Sequence, residues 1–340
     1  MTGSHRLPSP RKKLCCWSKG KAGRSGAFSA LPLEAIFDRM IQEKDRKMAS
    51  IGFIGAGIVA TALAVRLSER GYEILTVSSR SRDSAEKLAR RISNCRVAES
   101  NPEVASLTDL VFIATSDDAI ASVVDSVPWH QGQSVIHCNG AASLDILEKA
   151  RSAGAQVGCF HPLQTFASLK EALENLPGST FGIEAEDPLY SILVKMATDL
   201  EGNSIRLTAG AKVLYHAAAV IVSNYTVTLM KMATSLWEAF GGPAEEATSA
   251  LLPLLRGTVN NIAKIGLPYC LTGPIARGDM GTLHKHLVSL EEKAPGVLGA
   301  YCQMGLQTIP LAVAKGTVHK ETAEKMKAML ESKEGYEKEK

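Results

Sequence analysis

Apolar and polar positions along residues 51–207 follow two alternating periods. Short β-branched or aliphatic runs at 51–54, 74–77, 96–98, 110–114, 134–137 and 156–160 predict strands, and amphipathic stretches between them, such as 58–70 and 83–92, predict helices. Two further runs, 179–183 and 204–207, flank a helical stretch at 187–200 and extend the series. Strand and helix alternating at this spacing implies right-handed βαβ units and a doubly wound parallel sheet, an α/β architecture. Beyond Thr208 the strand signals stop. Residues 211–240 are apolar nearly all round and end at Gly241-Gly242-Pro243, the pattern of a helix buried in the middle of a bundle. Further helices are expected at 243–265, 281–293, 295–315 and 320–332. The chain thus divides into a leader without apolar period (1–48), an α/β domain (49–208), an all-helical domain (209–332) and a charged tail (333–340) expected to fray.

Composition supports two close-packed domains. With 340 residues, 45% of them apolar and 5% aromatic, the chain is neither collagen-like, disulfide-rich nor disordered. Its net charge of +3 is uneven: residues 1–48 carry a surplus of +7, which leaves −4 for the rest. A mildly acidic globular part carries no nucleic-acid footprint. The leader reads as disordered, with two other readings open: an organelle transit peptide, since its first 33 residues lack any acid, or a start at Met48. Seven scattered cysteines without C-x-x-C fit reduced thiols, so a cytoplasmic location is expected, or an organellar one if the leader is a transit peptide. No zinc spacing occurs, so no metal site is expected. No run reaches the roughly 18 continuous apolar residues of a membrane span, and no membrane partner is expected.

Gly52-Phe53-Ile54-Gly55-Ala56-Gly57-Ile58-Val59-Ala60 places G-x-G-x-x-A between a strand and a helix. Gly55 permits the tight turn, Gly57 lets the backbone approach a pyrophosphate, and a small third residue lets helix and strand pack closely. Phosphates would then sit on a helix N-terminus formed by Gly55, Ala56, Gly57, Ile58 and Val59, the signature of a Rossmann dinucleotide-binding domain. The second strand ends in Val77-Ser78-Ser79-Arg80-Ser81-Arg82, where NAD-selective folds place an Asp or Glu. Hydroxyls and a guanidinium suit a 2′-phosphate, so NADP(H) is the expected cofactor, clamped by Ser79, Arg80 and Ser81.

In open α/β sheets the ligand lies beyond the carboxyl ends of the strands. Those ends carry Thr115-Ser116-Asp117-Asp118, His137-Cys138-Asn139-Gly140 and His161-Pro162-Leu163-Gln164-Thr165-Phe166. Thr115 and Ser116 are expected at the cofactor. His137 reads as a satisfied core histidine, while His161 and Asn139 are expected just outside their strands, His161 with either a substrate or a loop-bracing role. On the long helix, Lys212, His216 and Ser223 fall within about 40° of one another, with Asn224 to the side. Such a polar stripe on an apolar helix implies a site or a polar network. A third cluster, Leu271 through Asp279, offers Arg277 for a substrate carboxylate, with Asp279 suited to cap the next helix. His284 and His286 stand two apart and do not form a metal pair.

The motifs G-A-G-I-V-A, A-T-S-D-D-A-I, H-C-N-G-A, H-P-L-Q-T-F, Y-H-A-A-A-V-I-V-S-N-Y and L-T-G-P-I-A-R-G-D occur in an order that resembles a family of Rossmann-like oxidoreductases with a helical C-terminal domain of unknown function. The resemblance covers residues 49–330. The family looks like a distant relative of ketopantoate reductase, hydroxyisobutyrate dehydrogenase and pyrroline-5-carboxylate reductase. This implies NADP(H), a 6-phosphogluconate-dehydrogenase-like helical domain used for homodimerisation, and, for some members, ketopantoate reduction in pantothenate synthesis. Lys212-x-x-x-His216 resembles the K-x-x-x-N of those enzymes, whose Lys protonates the substrate oxygen, and Asn139-Gly140 is similar to their turn beside the nicotinamide. His216 stands where they have Asn, which leaves the proton donor open between Lys212 and His216. The expected reaction is NADPH-dependent reduction of a small carbonyl such as a branched 2-oxo acid, with Lys212, His216 and Asn139 catalytic and His161, Ser223, Asn224 and Arg277 on the substrate. An imine reductase of the pyrroline-5-carboxylate type and a non-catalytic NADP(H) sensor or scaffold are the alternatives.

Overall fold

The computed structural model describes residues 49–334. The leader and its competing readings, and residues 335–340, lie outside the described residues.

Eight strands form one sheet in the order β3-β2-β1-β4-β5-β6-β7-β8. They are β1 (Ile51–Ile54), β2 (Ile74–Ser78), β3 (Arg96–Val97), β4 (Leu110–Ile113), β5 (Ser134–His137), β6 (Gln156–Leu163), β7 (Thr180–Ala185) and β8 (Asn203–Arg206). Helices α1 (Ile58–Glu69), α2 (Arg82–Ala89) and α7 (Leu189–Asp199) cover one face, and α3 (Asn101–Leu107), α4 (Ile120–Ser126) and α5 (Glu148–Ser152) the other. α6 (Leu169–Asn175) lies between β6 and β7. Fully buried Phe53, Phe112, Phe160 and Phe181 stack in sequence across the first face, with centroids 5.1, 6.0 and 4.5 Å apart. Such a ladder ties non-adjacent strands into one core.

The structure departs from a wholly parallel sheet at β7, which runs antiparallel to β6 and parallel to β8. The antiparallel partner carries β6 through His161 and Pro162 to Leu163, paired with Thr180, whereas the ladder to β5 ends at Cys159. His161 therefore belongs to a strand, correcting its expected place outside one. The helices 101–107, 120–126 and 169–175 have no counterpart in the sequence reading, because each makes two turns and too few apolar repeats to show a period.

The helical region comprises α8 (Lys212–Val222), α9 (Asn224–Glu238), α10 (Ala244–Ile265), α11 (Pro274–Arg277), α12 (Met280–Lys293), α13 (Pro295–Ala314) and α14 (Lys320–Glu334). α11 to α14 surround a core of Leu283, Leu287, Leu298, Cys302, Met326 and Leu330. Asp279 caps α12 as expected, accepting from the Thr282 amide at 2.9 Å. The tail is helical to Glu334, and Lys333 pairs with Glu291 at 2.6 Å, so fraying does not begin at 333.

The expected burial of 211–240 is overturned within one chain. In α8 and α9 the buried residues are Lys212 and Thr234, while Val213, Leu214, Ile221, Val222 and Val227 are at least 60% exposed. Apolar composition implies that something covers this face, yet nothing among the described residues does. On length and composition two helical runs, Lys212–Glu238 and Pro295–Ala314, could cross a membrane. The rule of an unbroken apolar run misses the first because Lys212, His216, Ser223, Asn224 and Lys231 interrupt it. The second is partly buried in the C-terminal core.

Candidate functional site

β1 ends in the glycine turn, and its geometry is that of a phosphate cradle. Gly55 has φ +109°, and a Cβ there would stand 2.4 Å from the Ala114 carbonyl oxygen, so only glycine fits between β1 and β4. Gly57 begins α1 with no side-chain cap, and a Cβ at that position would meet nothing within 4 Å. The N-terminus of α1 thus has no side-chain cap and leaves room beside Gly57 for an anionic pyrophosphate to approach the first-turn amides.

Two clefts meet at this turn. One, of about 360 Å³, is lined by Gly55, Ala56, Gly57, Ser79, Arg80, Ser81, Ser84, Asn101, Thr115 and Ser116. The other, of about 340 Å³, is lined by Gly57, Ile58, Val59, Thr115, Ser116, Asp117, Cys138, Asn139 and Phe166. They share Gly57, Ala114, Thr115 and Ser116, so one crevice runs from the end of β2 to the end of β5 and brings all ten expected cofactor residues together. Arg80 is exposed and has no carboxylate partner among the described residues, whereas Arg82 is held by Glu86 and Glu99. The Ser81 hydroxyl accepts from the Ser84 amide at 3.3 Å and caps α2. Ser84 and Asn101, which sequence reasoning missed, belong to this end of the crevice; Asn101 accepts from the Ser78 hydroxyl at 2.8 Å. The crevice, the unfilled space at Gly57 and the unpaired Arg80 fit a phosphorylated dinucleotide.

At the β5 end, the Asn139 side chain accepts from the amides of Ala141 and Ala142 at 2.7 and 2.5 Å and braces its own turn. Gly140 follows, and a Cβ there would lie 2.7 Å from His216 Cδ2 and 2.8 Å from His161 Nε2. Both imidazoles therefore converge on this glycine, their centroids 6.3 Å apart. His161 Nδ1 lies 2.9 Å from the Tyr215 hydroxyl. Burial, with His216 and Lys212 nearby, lowers the His161 pKa to about 4 against a smaller opposing pull from Asp117, so the ring is neutral near pH 7.

Lys212 lies beneath this pair. It is 2% exposed, its Nζ is 3.3 Å from His137 Nε2, and Glu184 Oε2 stands 4.0 Å away. The Asn139 amide donates to His137 Nδ1 at 3.1 Å, so His137 is the satisfied core histidine expected of it. Burial, then Lys212 and His161, hold its pKa down near 3. Burial raises the Glu184 carboxyl, with Lys212 opposing. The Lys212, His137 and Glu184 set pins α8 to β5 and β7.

Ser223 and Asn224 are exposed, seven and eight residues past His216 and so about 10 Å further along the helix. Arg277 sits on α11 in the distal bundle, 4.0 Å from Asp279. Among the described residues no hydrogen bond or ion pair joins these three to the strand-end residues. Tyr215, Gly182, Cys159 and Glu184 were missed; Tyr215, adjacent to His216 and one turn past Lys212, was the available signal.

Comparison with known proteins bears on the fold that carries this site. Residues 50–140 match a family described as NADP oxidoreductase, coenzyme F420-dependent, and residues 179–308 match a domain of unknown function. No curated protein matches the chain. A structure from Bacteroides fragilis described as an NADP oxidoreductase is 24% identical, covering 77% of this chain and 98% of its own, with a TM-score of 0.62. A reductive aminase from Aspergillus terreus, solved with NADPH and ethyl-5-oxohexanoate, is 16% identical over 86% of this chain and 95% of its own, at TM-score 0.56. A pyrroline-5-carboxylate reductase from Coxiella burnetii is 18% identical over 82% and 99%, at TM-score 0.53. At these identities the structures share the fold. The chain thus has a Rossmann fold whose residues 50–140 match the NADP oxidoreductase model, in keeping with NADP(H) as its cofactor, followed by a helical region, and residues 179–308 match the domain of unknown function.

Proposed function

We propose that the protein is an NADPH-dependent reductase of a small carbonyl compound, a branched 2-oxo acid of the ketopantoate type being the best candidate, and that it acts as a homodimer. The observation that carries this reading is the meeting of His161, His216 and the Asn139-Gly140 turn at the end of the cofactor crevice. When bound, the nicotinamide supplies a hydride. Negative charge then builds on the substrate oxygen, and hydrogen-bond donors aimed at that oxygen lower the barrier. His216 is half-buried at this face and Lys212 is sealed below it, so of the two expected donors His216 is favoured, with Lys212 holding the helix that carries it. Arg80 with Ser79 and Ser81 would hold the 2′-phosphate.

The homodimer reading rests on α8 and α9, whose 27-residue run carries Lys212, Lys231 and Glu238 as its charged side chains and leaves its apolar face uncovered. A second copy offers the same face, and a self-complementary contact of this length suits an isologous interface of roughly 1,600 Å².

The test is a panel of 2-oxo acids and cyclic imines followed by NADPH absorbance. Turnover of the oxo acids supports the reading. Turnover of pyrroline carboxylate alone would move the assignment to an imine reductase of the pyrroline-5-carboxylate type, the activity named for the Coxiella structure of like fold. Cofactor binding with no turnover would leave a sensor or scaffold. Arg80→Asp should raise KM for NADPH at least about tenfold and leave KM for NADH nearly unchanged, because one charge-assisted contact becomes a repulsion.

A further inference from the structure

His161 lies in β6 opposite Gly182 of β7. Tyr215 reaches His161 because Gly182 has no side chain: a Cβ there would stand 2.8 Å from the Tyr215 hydroxyl. That hydroxyl is 2.9 Å from His161 Nδ1. A phenol is a stronger donor than a neutral imidazole, so in this pair the hydroxyl turns its proton toward the ring nitrogen. Nδ1 is then the acceptor, and the single ring proton resides on Nε2. Among the described residues no hydrogen bond occupies Nε2, which faces the Cα of Gly140 beside Asn139, a wall of the nicotinamide end of the crevice.

We propose that Tyr215 is a positioning residue that locks His161 as the Nε2–H tautomer. The site then presents a neutral N–H donor to the reacting atom and selects a substrate with a lone pair there, a ketone or neutral imine, over an iminium cation. An iminium N–H faces this donor with a donor of its own, whereas a carbonyl oxygen accepts from it and accepts more strongly as hydride arrives. Burial keeps the ring uncharged near neutral pH, so the donor persists there. The proposal rests on the reductase reading given above.

The decisive measurement is a long-range ¹⁵N–¹H correlation spectrum of the full chain labelled in histidine, without added cofactor. The His161 signals are assigned by their loss in His161→Gln. Expected are a protonated Nε2 and an unprotonated Nδ1, with both nitrogens shifting toward an averaged pattern in Tyr215→Phe. With NADPH and a ketone substrate, Tyr215→Phe should lower kcat at least about tenfold with unchanged NADPH affinity, the scale of a misplaced donor. His161→Gln, whose amide N–H falls near the Nε2 position, should retain more activity than His161→Asn, whose amide falls near Nδ1. A protonated Nδ1 in the native chain, an unchanged tautomer in Tyr215→Phe, or His161→Asn matching His161→Gln overturns the lock. An iminium substrate preferred over its ketone overturns the selection. Should no substrate turn over, the reductase reading fails, and the spectrum still decides the lock.

Discussion

Helices α1 and α8 are near twins in length and in aliphatic content, yet they meet opposite fates. The 12 residues of α1 bury Ala60, Thr61, Ala62, Leu63, Ala64 and Leu67, whereas the 11 of α8 bury Lys212 alone. α1 lies on a twisted sheet whose first face presents Phe53, Phe112 and Ile136 to it. α8 is pinned to the sheet at one end by a cation and leaves its apolar residues uncovered. Burial is thus a property of what a helix meets, and hydrophobic pattern sets only the demand for it.

The sharpest way to break this contrast is to truncate the same residue in both helices. Leu63→Ala should cost about 2–5 kcal/mol in urea unfolding, as for a fully buried leucine. Leu214→Ala, at a position 77% exposed, should leave the stability of a dilute single chain nearly unchanged. Equal losses would show that α8 is covered in solution even within one chain.

Next in size is the pin itself. Lys212→Met leaves Glu184 buried without its cation and should cost about 3 kcal/mol, read as a lower Tm. A variant with normal Tm and lost turnover would instead place Lys212 in the chemistry.

Leu214→Glu tests the uncovered face. Sedimentation velocity should show the proposed dimer replaced by a monomer that keeps its secondary structure, since the charge enters an exposed position. A variant that stays dimeric moves the interface off this face.

Two histidines of the site add a test by pH. His137 and His161 titrate lower when folded, near 3 and 4, than the 6.5 of an unfolded histidine. Between these values the unfolded chain binds protons that the folded one does not, so stability falls as pH drops from 6.5 toward 4 and is fully present above 6.5. Tm flat over that acid range would mean that neither ring is held neutral.

Much of the cofactor half was legible because each signal is local. β1 and β5 match their sequence periods at both ends, and the glycine at 55 announces a turn that only glycine can make. The donor set was legible in part. His161, His216 and Asn139 stood out as polar residues at strand ends and on an apolar helix, but the strand extension that holds His161 depends on β7 pairing from 20 residues away. Tyr215 stands beside His216 in sequence, but its partner, His161, is 54 residues off and meets it only in the fold.

What the sequence by itself determined is the set of local conformations: strand and helix periods, the glycine turn, and the absence of an acid where a 2′-phosphate would sit. Tertiary structure alone decided which side of each element is covered. It turned Lys212 downward onto His137 and Glu184, left Leu214 and Val222 uncovered, and brought Gly140, Gly182 and Tyr215 around His161. Conformational preference acts over a few residues of chain, whereas desolvation and hydrogen-bond partners are set by groups the chain brings together only after it has folded.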